Sequence, residues 1–279
     1  MSVRNQLQVN SIDSKYVSLL LKQRGGVVLR RYQSVVTLKL DDQLEIHIVD
    51  QSIGNGPRRL VLNPLPHHSF ITFSEGLRVK LKPYQIEFSH GVIVDWSNAK
   101  VWQPKPIQKQ QHLTRGFLKY LQTRATVMEQ TIANPFATEI EFVKKKIVQF
   151  LESPNLENIN AIIGLGSGST PIGDDAVLGY ILAKRFFGQS LTLLHPWMNQ
   201  SPGTTPLSIE MLRDAYLGEY SELFINWLTS LQKETNQEID MKIAQLGGNS
   251  GAMILKSFYS FSIQILKENQ NEYLSTYTR

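Results

Sequence analysis

The residues with the clearest chemical potential lie in one short segment, Gly164-Leu-Gly-Ser-Gly-Ser-Thr-Pro-Ile-Gly-Asp-Asp175. Its glycines alternate with hydroxyl-bearing residues and end at two adjacent aspartates. Glycine lets the backbone adopt positive φ angles and lets a ligand come close to the chain. Thr170 followed by Pro171 predicts a helix N-cap and the first residue of a helix. The segment therefore predicts a loop that opens a helix and offers unpaired N–H groups to an anion.

The two aspartates at the end of this segment complicate a simple phosphate site, because two carboxylates repel a phosphate. Asp174 and Asp175 would instead orient an amide or ammonium group, or hold a divalent cation such as Mg²⁺ beside the anion. A purely structural alternative is that both complement the helix dipole, which is worth about 0.3–1 kcal/mol each. Since the segment is neither a Walker A loop nor a dinucleotide-binding fingerprint, an ATP-dependent kinase or ligase is a weaker hypothesis.

Two later segments resemble the first. Gly203-Thr-Thr-Pro-Leu-Ser208 and Gly247-Gly-Asn-Ser-Gly251 each precede a predicted helix. Capping preference explains each helix start taken singly, whereas convergence of the three starts would form one pocket. If the three starts form one pocket, Asp174 and Asp175 are the predicted catalytic residues. The predicted substrate-binding residues are Gly166, Ser167, Gly168, Ser169, Thr170, Gly173, Thr204, Thr205, Asn249 and Ser250.

The elements that must position these residues change in character near residue 105. Residues 1–105 hold a short helix, Ser14–Lys22, followed by short segments rich in Val, Ile and Phe between turn residues. These predict strands at Gly26–Leu40, Leu44–Val49, Arg59–Leu62, Phe70–Phe73, Arg78–Leu81, Gln85–Phe88, Val92–Val94 and Lys100–Trp102. Short strands without intervening helices favour an antiparallel barrel or sandwich.

Residues 106–279 have a helical period and carry the Gly-rich segment. Helices are predicted near Leu113–Met128, Thr138–Leu151, Gly173–Phe187, Pro206–Leu217, Ser221–Leu231 and Gly251–Lys267. The fold class is therefore α+β, with a β-rich domain over residues 1–105 and a mostly helical domain over residues 106–279.

Composition excludes several classes of function. The chain has no cysteine, which excludes disulfides, thiolate metal sites and cysteine nucleophiles. Apolar stretches are too short to cross a membrane and the N-terminus lacks a secretory signal, so we expect a cytoplasmic protein with no membrane partner. The net charge of +5 is scattered, and Lys144–Lys146 suits a solvated helix face better than a nucleic-acid patch. His67-His68 could form part of a metal site only with further ligands, and a plain loop is the simpler interpretation.

The motifs also resemble those of a known bacterial family. The first segment is similar to the Gly-Leu-Gly-Pro-Gly-Leu-Thr-Pro-Ser-Gly-Asp-Asp motif of the AllH-like proteins of ureide breakdown. The resemblance continues in Gly203–Ser208, in Leu246–Gly251 and in Val94–Pro104 at the end of the first domain. Ser167, Ser169 and Ile172 replace the family's Pro, Leu and Ser, and the last motif lacks the family's His and Trp-Asp.

The resemblance implies a subunit of an oxamate carbamoyltransferase, which acts beside two other subunits and passes a carbamoyl group between oxalurate and phosphate. The ligand would then carry a phosphate or a carbamoyl amide. The alternative is a non-catalytic scaffold or regulatory subunit of a multi-subunit metabolic enzyme, with the altered last motif marking lost chemistry. The scaffold predicts a stable complex without turnover by this chain alone, whereas the enzyme subunit predicts ligand binding at the Gly-rich segment.

Overall fold

The computed structural model describes residues 6–64, 69–110, 114–198, 203–235 and 238–277. The chain divides into two compact units. The first is Met1–Lys105 with Tyr220–Leu223, and the second is Pro106–Glu219 with Phe224–Arg279. The first unit contains the β-strands and the second contains most of the helices, so the fold is α+β as predicted.

The first unit is a closed β-barrel. Its strands are β1 (Gln6–Asp13), β2 (Gly25–Arg31), β3 (Val35–Leu40), β4 (Glu45–Val49), β5 (Arg59–Leu62), β6 (Arg78–Lys82), β7 (Gln85–Phe88), β8 (Ile93–Asp95) and β9 (Lys100–Trp102). They are ordered β5-β4-β3-β2-β6-β7-β8-β1-β9, and a pairing of β1 with β5 closes an eight-stranded ring to which β9 is added. Of the two predicted alternatives, the barrel is correct and the sandwich is wrong.

The barrel is mixed rather than wholly antiparallel. β1 runs parallel to β8 and β9, and β4 runs parallel to β5. The other pairings among the described strands are antiparallel. The predicted antiparallel direction is therefore wrong for three pairs. The physical reason lies in the connections, because β4 and β5 are joined through a 3-10 helix (Gln51–Ile53) and not by a tight turn.

Three local predictions in this unit need correction. Phe70–Phe73 is not a strand, because Ser69–Thr72 forms a 3-10 helix whose period of three residues turns Phe70 and Phe73 to the same side, where both are buried. The predicted strand Gly26–Leu40 is a hairpin of β2 and β3, turned at Gln33 and Ser34. β1 was not predicted, since a bulge between Val9 and Ser11 breaks the alternation of its apolar residues.

The second unit is built around two long helices. Among the described residues, the helices are α2 (Arg115–Thr131), α3 (Glu141–Glu152), α4 (Leu156–Ile162), α5 (Ile172–Phe186), α6 (His195–Met198), α7 (Pro206–Leu217), α8 (Glu222–Gln232), α9 (Glu238–Ala244) and α10 (Ser250–Tyr277), while α1 (Ser14–Leu20) belongs to the first unit. α5 is buried on every side through its first three turns, and it packs against α10. A Cβ on Gly179 would lie 2.5 Å from the carbonyl oxygen of Ile254, so glycine permits this close helix crossing.

A buried ion pair and its hydrogen bonds join α2, α8 and α9 to α10. Arg124 of α2 and Asp240 of α9 are 1% and 0% exposed, and their side chains meet at 2.5 Å. Asp240 also accepts hydrogen bonds from Trp227 Nε1 of α8 at 2.7 Å and from the Tyr259 hydroxyl of α10 at 2.9 Å. The carboxylate is thus fully hydrogen-bonded, and four helices are held at fixed distances around it. Sequence reasoning did not single out this pair.

Candidate functional site

The Gly-rich segment forms the loop between α4 and α5. Gly164, Gly166 and Gly168 have φ angles of 73°, 113° and 92°, which side-chain-bearing residues rarely adopt. A Cβ on Gly164 would lie 2.1 Å from the carbonyl oxygen of Gly203, so this glycine also permits close contact with the segment before α7. The prediction of a loop that needs glycine and opens a helix is therefore met by the geometry.

The helix start differs from the predicted one. α5 begins at Ile172, Pro171 is its N-cap, and no side chain caps it. The first N–H groups of the helix bond within the protein, Gly173 to the Leu165 carbonyl at 2.9 Å and Asp174 to the Pro171 carbonyl at 2.9 Å. The prediction that Thr170 caps α5 is therefore wrong, because backbone carbonyls already satisfy these donors.

The Thr170 side chain bridges two helix starts instead. Its hydroxyl lies 2.9 Å from the hydroxyl of Ser250, the first residue of α10. Because the helix does not use Thr170 as a cap, its hydroxyl is available to fix α10 against the loop. Residues 80 positions apart in the sequence thus meet at the junction of α5 and α10.

The segment before α7 meets the same loop. Thr205 caps α7 by accepting a hydrogen bond from Ser208 N–H at 3.2 Å, and Pro206 is in the first turn. The Thr205 hydroxyl also donates to the Ser169 carbonyl at 2.5 Å. The Thr-Pro pattern therefore works as an N-cap here, and the starts of α5, α7 and α10 converge within the second unit.

Asp174 holds this convergence together. It is 3% exposed and accepts a hydrogen bond from Gly164 N–H at 2.8 Å and another from the Thr204 hydroxyl. Both carboxylate oxygens therefore have partners inside the protein. The geometry favours a role in positioning the loop over direct contact with a ligand.

Asp175 is placed differently. It is 2% exposed, it shares a hydrogen bond with Ser250, and its Oδ2 atom is buried without a hydrogen-bond partner among the described residues. Burial is the main cause that raises the pKa of Asp175 to about 8, against the lowering effect of the Ser250 hydrogen bond and with a further rise from Asp174. The Asp175 side chain is therefore mostly protonated at neutral pH, and it can donate a hydrogen bond.

The tip of the loop faces solvent. Ser167, Gly168 and Ser169 are exposed, while Gly166 and Thr170 are half-buried. Within the part of the chain that the structure describes, the backbone N–H groups of these five consecutive residues have no protein acceptor. Successive N–H groups in alternating backbone conformations form an anion-binding concavity. The available donors thus belong to the loop and not to the first turn of α5.

The loop before α10 repeats the construction of the loop before α5. Leu246 N–H bonds to the Ile243 carbonyl at 3.0 Å and Gly251 N–H to the Leu246 carbonyl at 3.0 Å. The first loop has the same pair of bonds, each at 2.9 Å, between Leu165 and Ile162 and between Gly173 and Leu165. α4–loop–α5 and α9–loop–α10 are therefore local structural repeats. From the sequence alone, the likeness between these two segments was only that both consist mainly of small residues.

The second loop also contacts a residue that sequence reasoning missed. The side-chain amide of Asn249 donates to the Thr138 hydroxyl at 3.1 Å. The Asn249 side chain is thus directed toward the segment before α3. All twelve predicted site residues lie in the three helix starts.

The family model for the oxamate carbamoyltransferase subunit AllH matches residues 162–260, about a third of the chain. The match begins at the end of α4, spans all three helix starts and ends within α10. Residues 162–260 are therefore AllH-like. No match was found among curated proteins or solved structures.

The AllH match relates this chain to a carbamoyltransferase subunit, and the matched residues contain all the predicted site residues. Within the described residues, no group of three or more His, Asp and Glu side chains is placed to bind a metal, and no helix is long and apolar enough to cross a membrane. His67-His68 lies outside the described residues.

A separate cavity of about 750 Å³ lies between α2 and α10 and contains none of the predicted site residues. Leu255 and Tyr259 line it, on the opposite side of α10 from Ile254 and Ser257, which face α5. The cavity therefore lies on the side of α10 that is turned away from α5. The lining of the cavity includes apolar residues and the two lysines Lys256 and Lys267.

The two repeated glycines give a stability prediction for this AllH-like unit. A Cβ on Gly173 or Gly251 would lie 1.8 Å from the carbonyl oxygen of Ile162 or Ile243. Alanine normally stabilises a helix relative to glycine, but here we expect Gly173→Ala and Gly251→Ala each to lose about 1–3 kcal/mol of unfolding free energy. Denaturant titration measures this loss.

Gly203→Ala is the matched control for these variants, because a Cβ there has no neighbour within 4 Å. Its unfolding free energy should stay within about 0.5 kcal/mol of the wild type. Equal stabilities for the three variants would contradict the close packing of the repeated loops.

Proposed function

We propose that this chain is a subunit of a carbamoyltransferase-type enzyme and that its Gly-rich loop binds a phosphate or carbamoyl-type ligand. The observation that carries the proposal is a run of N–H groups, from Gly166 to Thr170, that have no acceptor among the described residues, in a loop whose ends are held in place. The relation to an oxamate carbamoyltransferase subunit supplies the class of ligand.

The electrostatics of the site support an anion. Asp174 directs both oxygens at protein donors, and the raised pKa of Asp175, about 8, leaves that side chain mostly neutral. The expected repulsion between two carboxylates and a phosphate is therefore much reduced. In this arrangement an anion can bind without Mg²⁺. The alternative considered from the sequence, a divalent cation held by Asp174 and Asp175 beside the anion, would also remove the repulsion.

We assign the roles as follows. Gly166, Ser167, Gly168, Ser169 and Thr170 hold the anion, and Gly173 allows α5 to start close to α4. Asp174, Thr204 and Thr205 keep the loop in its binding conformation. Asp175 donates a hydrogen bond to the carbamoyl group from the buried side, and Asn249 and Ser250 complete the opposite wall. These roles use the protonated state of Asp175 and the hydroxyls that meet at the junction of α5 and α10.

The test is calorimetric titration of the protein with inorganic phosphate and with carbamoyl phosphate. Ser169 is exposed, and among the described residues its protein partner is Thr205, which bonds to the Ser169 backbone carbonyl, so its side chain can be changed with little effect on the fold. Ser169→Asp should weaken binding of both ligands by about tenfold or more, since the added charge lies beside the N–H groups. Ser169→Asn, of similar size and no charge, should change affinity by less than about threefold.

The titrations should be made on the chain alone and on the complex purified with its native partners. Absence of binding of both ligands in both preparations would overturn the proposal. It would favour the second candidate, a scaffold or regulatory subunit, which the replacement of the family's last motif by Asn249, Ala252 and Met253 also favours. Equal binding by Ser169→Asp and Ser169→Asn would instead exclude the Gly-rich loop as the site.

A further inference from the structure

The repeat of the helix–loop–helix construction gives the site two loops of similar design. Each has an Ile carbonyl at the end of a short helix, a Leu that bonds to it, and a Gly that starts the long helix against that carbonyl. Five positions separate Leu246 from Gly251, whereas eight separate Leu165 from Gly173. The first loop is therefore the second loop with three additional residues.

The shorter loop also leaves backbone donors unused. Gly247 and Gly248 have φ angles of 49° and 65°. Over the described residues, the N–H groups of Gly247, Gly248 and Asn249 have no protein acceptor. Successive N–H groups bind anions, and the shorter loop has three of them against five in the longer loop. Three donors are enough for the two oxygens of a carboxylate, whereas a phosphate has more oxygens to satisfy.

An independent observation points to a ligand between the two loops. Asp175 is 2% exposed and its side chain is directed to the start of α10, because it bonds to Ser250. Ser250 is in turn 2.9 Å from Thr170 of the first loop. At this junction Asp175 Oδ2 is buried and has no hydrogen-bond partner among the described residues, which is a costly arrangement unless a ligand bonds to it.

We infer that residues 246–250 form a second anion subsite, which binds the carboxylate of oxalurate or oxamate, while the Gly-rich loop binds phosphate or the phosphate group of carbamoyl phosphate. The two subsites lie on either side of the Thr170–Ser250 hydroxyl pair. A ligand group between the two anions, such as an amide or a carbamoyl group, would then meet these hydroxyls and Asp175. The inference rests on the proposed function and adds which loop binds which substrate.

The experiment titrates the protein, in its native complex where it co-purifies with one, with oxamate in the absence and presence of saturating phosphate. Oxamate supplies a carboxylate next to an amide. Two subsites predict that phosphate does not displace oxamate and that each ligand binds with a stoichiometry of one.

Charge variants then assign the subsites. Gly248 has open space around its Cβ position, and Asp and Asn both tolerate its positive φ, so Gly248→Asp and Gly248→Asn form a matched pair. Gly248→Asp should weaken oxamate binding by about tenfold or more and phosphate binding by less than about threefold. Ser169→Asp should do the reverse, and Gly248→Asn should change neither affinity by more than about threefold.

The outcomes separate this inference from the proposed function. If phosphate and carbamoyl phosphate bind but oxamate competes with phosphate, or if Gly248→Asp leaves oxamate binding unchanged, the second subsite is overturned and the phosphate loop stands. If oxamate fails to bind while phosphate binds, the second subsite is likewise overturned. If neither phosphate nor carbamoyl phosphate binds, the proposed function itself fails.

Discussion

The Asp175→Asn variant should be more stable than the wild-type protein near pH 8, and this advantage should disappear as the pH falls toward 4. Burial raises the pKa of Asp175 from 3.8 in the unfolded chain to about 8 in the folded protein. Between these values the folded state keeps a proton that the unfolded state has released. The wild type therefore loses stability as the pH rises through this window.

The size of the effect follows from the same shift in pKa. Each pH unit between about 4 and 8 lowers the stability of the wild type relative to the variant by about 1.4 kcal/mol. Over the whole window the difference reaches on the order of 5 kcal/mol. Below about pH 4 the Asp175 side chain is protonated in both the folded and the unfolded wild type, and above about pH 8 it is ionised in both. The difference in stability between wild type and variant is therefore constant outside this window.

Denaturant titrations at several pH values from 4 to 9 measure this difference. Asp174→Asn is the matched control, because Asp174 lies next to Asp175 but accepts hydrogen bonds with both oxygens. Asp174→Asn exchanges one acceptor for a donor, so it should lower the unfolding free energy. Parallel pH profiles for the wild type and Asp175→Asn would show that Asp175 is not a buried neutral acid.

The second large effect is expected at the buried ion pair. Arg124→Met should reduce the unfolding free energy by about 3–5 kcal/mol, because it leaves the Asp240 charge buried without its cation. Asp240 would keep only the hydrogen bonds from Trp227 and Tyr259. Thermal and denaturant unfolding at neutral pH measure the loss.

An exposed ion pair of the same unit is the control. Lys256 and Glu129 are 3.5 Å apart with side chains 32% and 69% exposed, so Glu129→Gln should cost less than about 1 kcal/mol. Asp240→Asn in the Arg124→Met background should recover part of the lost stability, since it removes the uncompensated charge. A loss below about 1 kcal/mol for Arg124→Met would contradict the assignment of this network as a support of the helical unit.

Sequence patterns predicted most helices of the second unit closely. The helix predicted at Pro206–Leu217 has those bounds in the structure, and the predicted helix Gly173–Phe187 is α5 to within one residue at each end. Both have strong local determinants, a Thr-Pro start in one case and a nearly continuous apolar stretch in the other. The short helices α4 and α9 were not predicted, because seven residues show less than two full turns of any periodic pattern.

The strands were predicted less completely. The alternation of Leu44, Ile46 and Ile48 located β4, where Ile46 and Ile48 are fully buried. Strand direction and closure depend on which strands pair, and the pairing of β1 with β5, β8 and β9 joins residues up to about 90 positions apart. No local pattern specifies such pairs, so the choice of a mixed barrel required the tertiary structure.

By itself, the sequence determined which residues had the types and local conformations for the loop that we propose to bind an anion. The glycines between Gly164 and Gly168 predicted positive φ angles because only glycine adopts them without strain, and the backbone has them. The sequence also located the resemblance to the AllH family, which the match over residues 162–260 supports.

Only the tertiary structure decided what the aspartates do. Asp174 and Asp175 are adjacent and chemically identical, yet Asp174 accepts hydrogen bonds from Gly164 and Thr204. Asp175 lies beside Ser250 and retains a buried oxygen that has no partner among the described residues. Their protonation and their partners depend on burial and on groups that are distant in the sequence. The convergence of three helix starts creates that environment, and a linear pattern does not contain it.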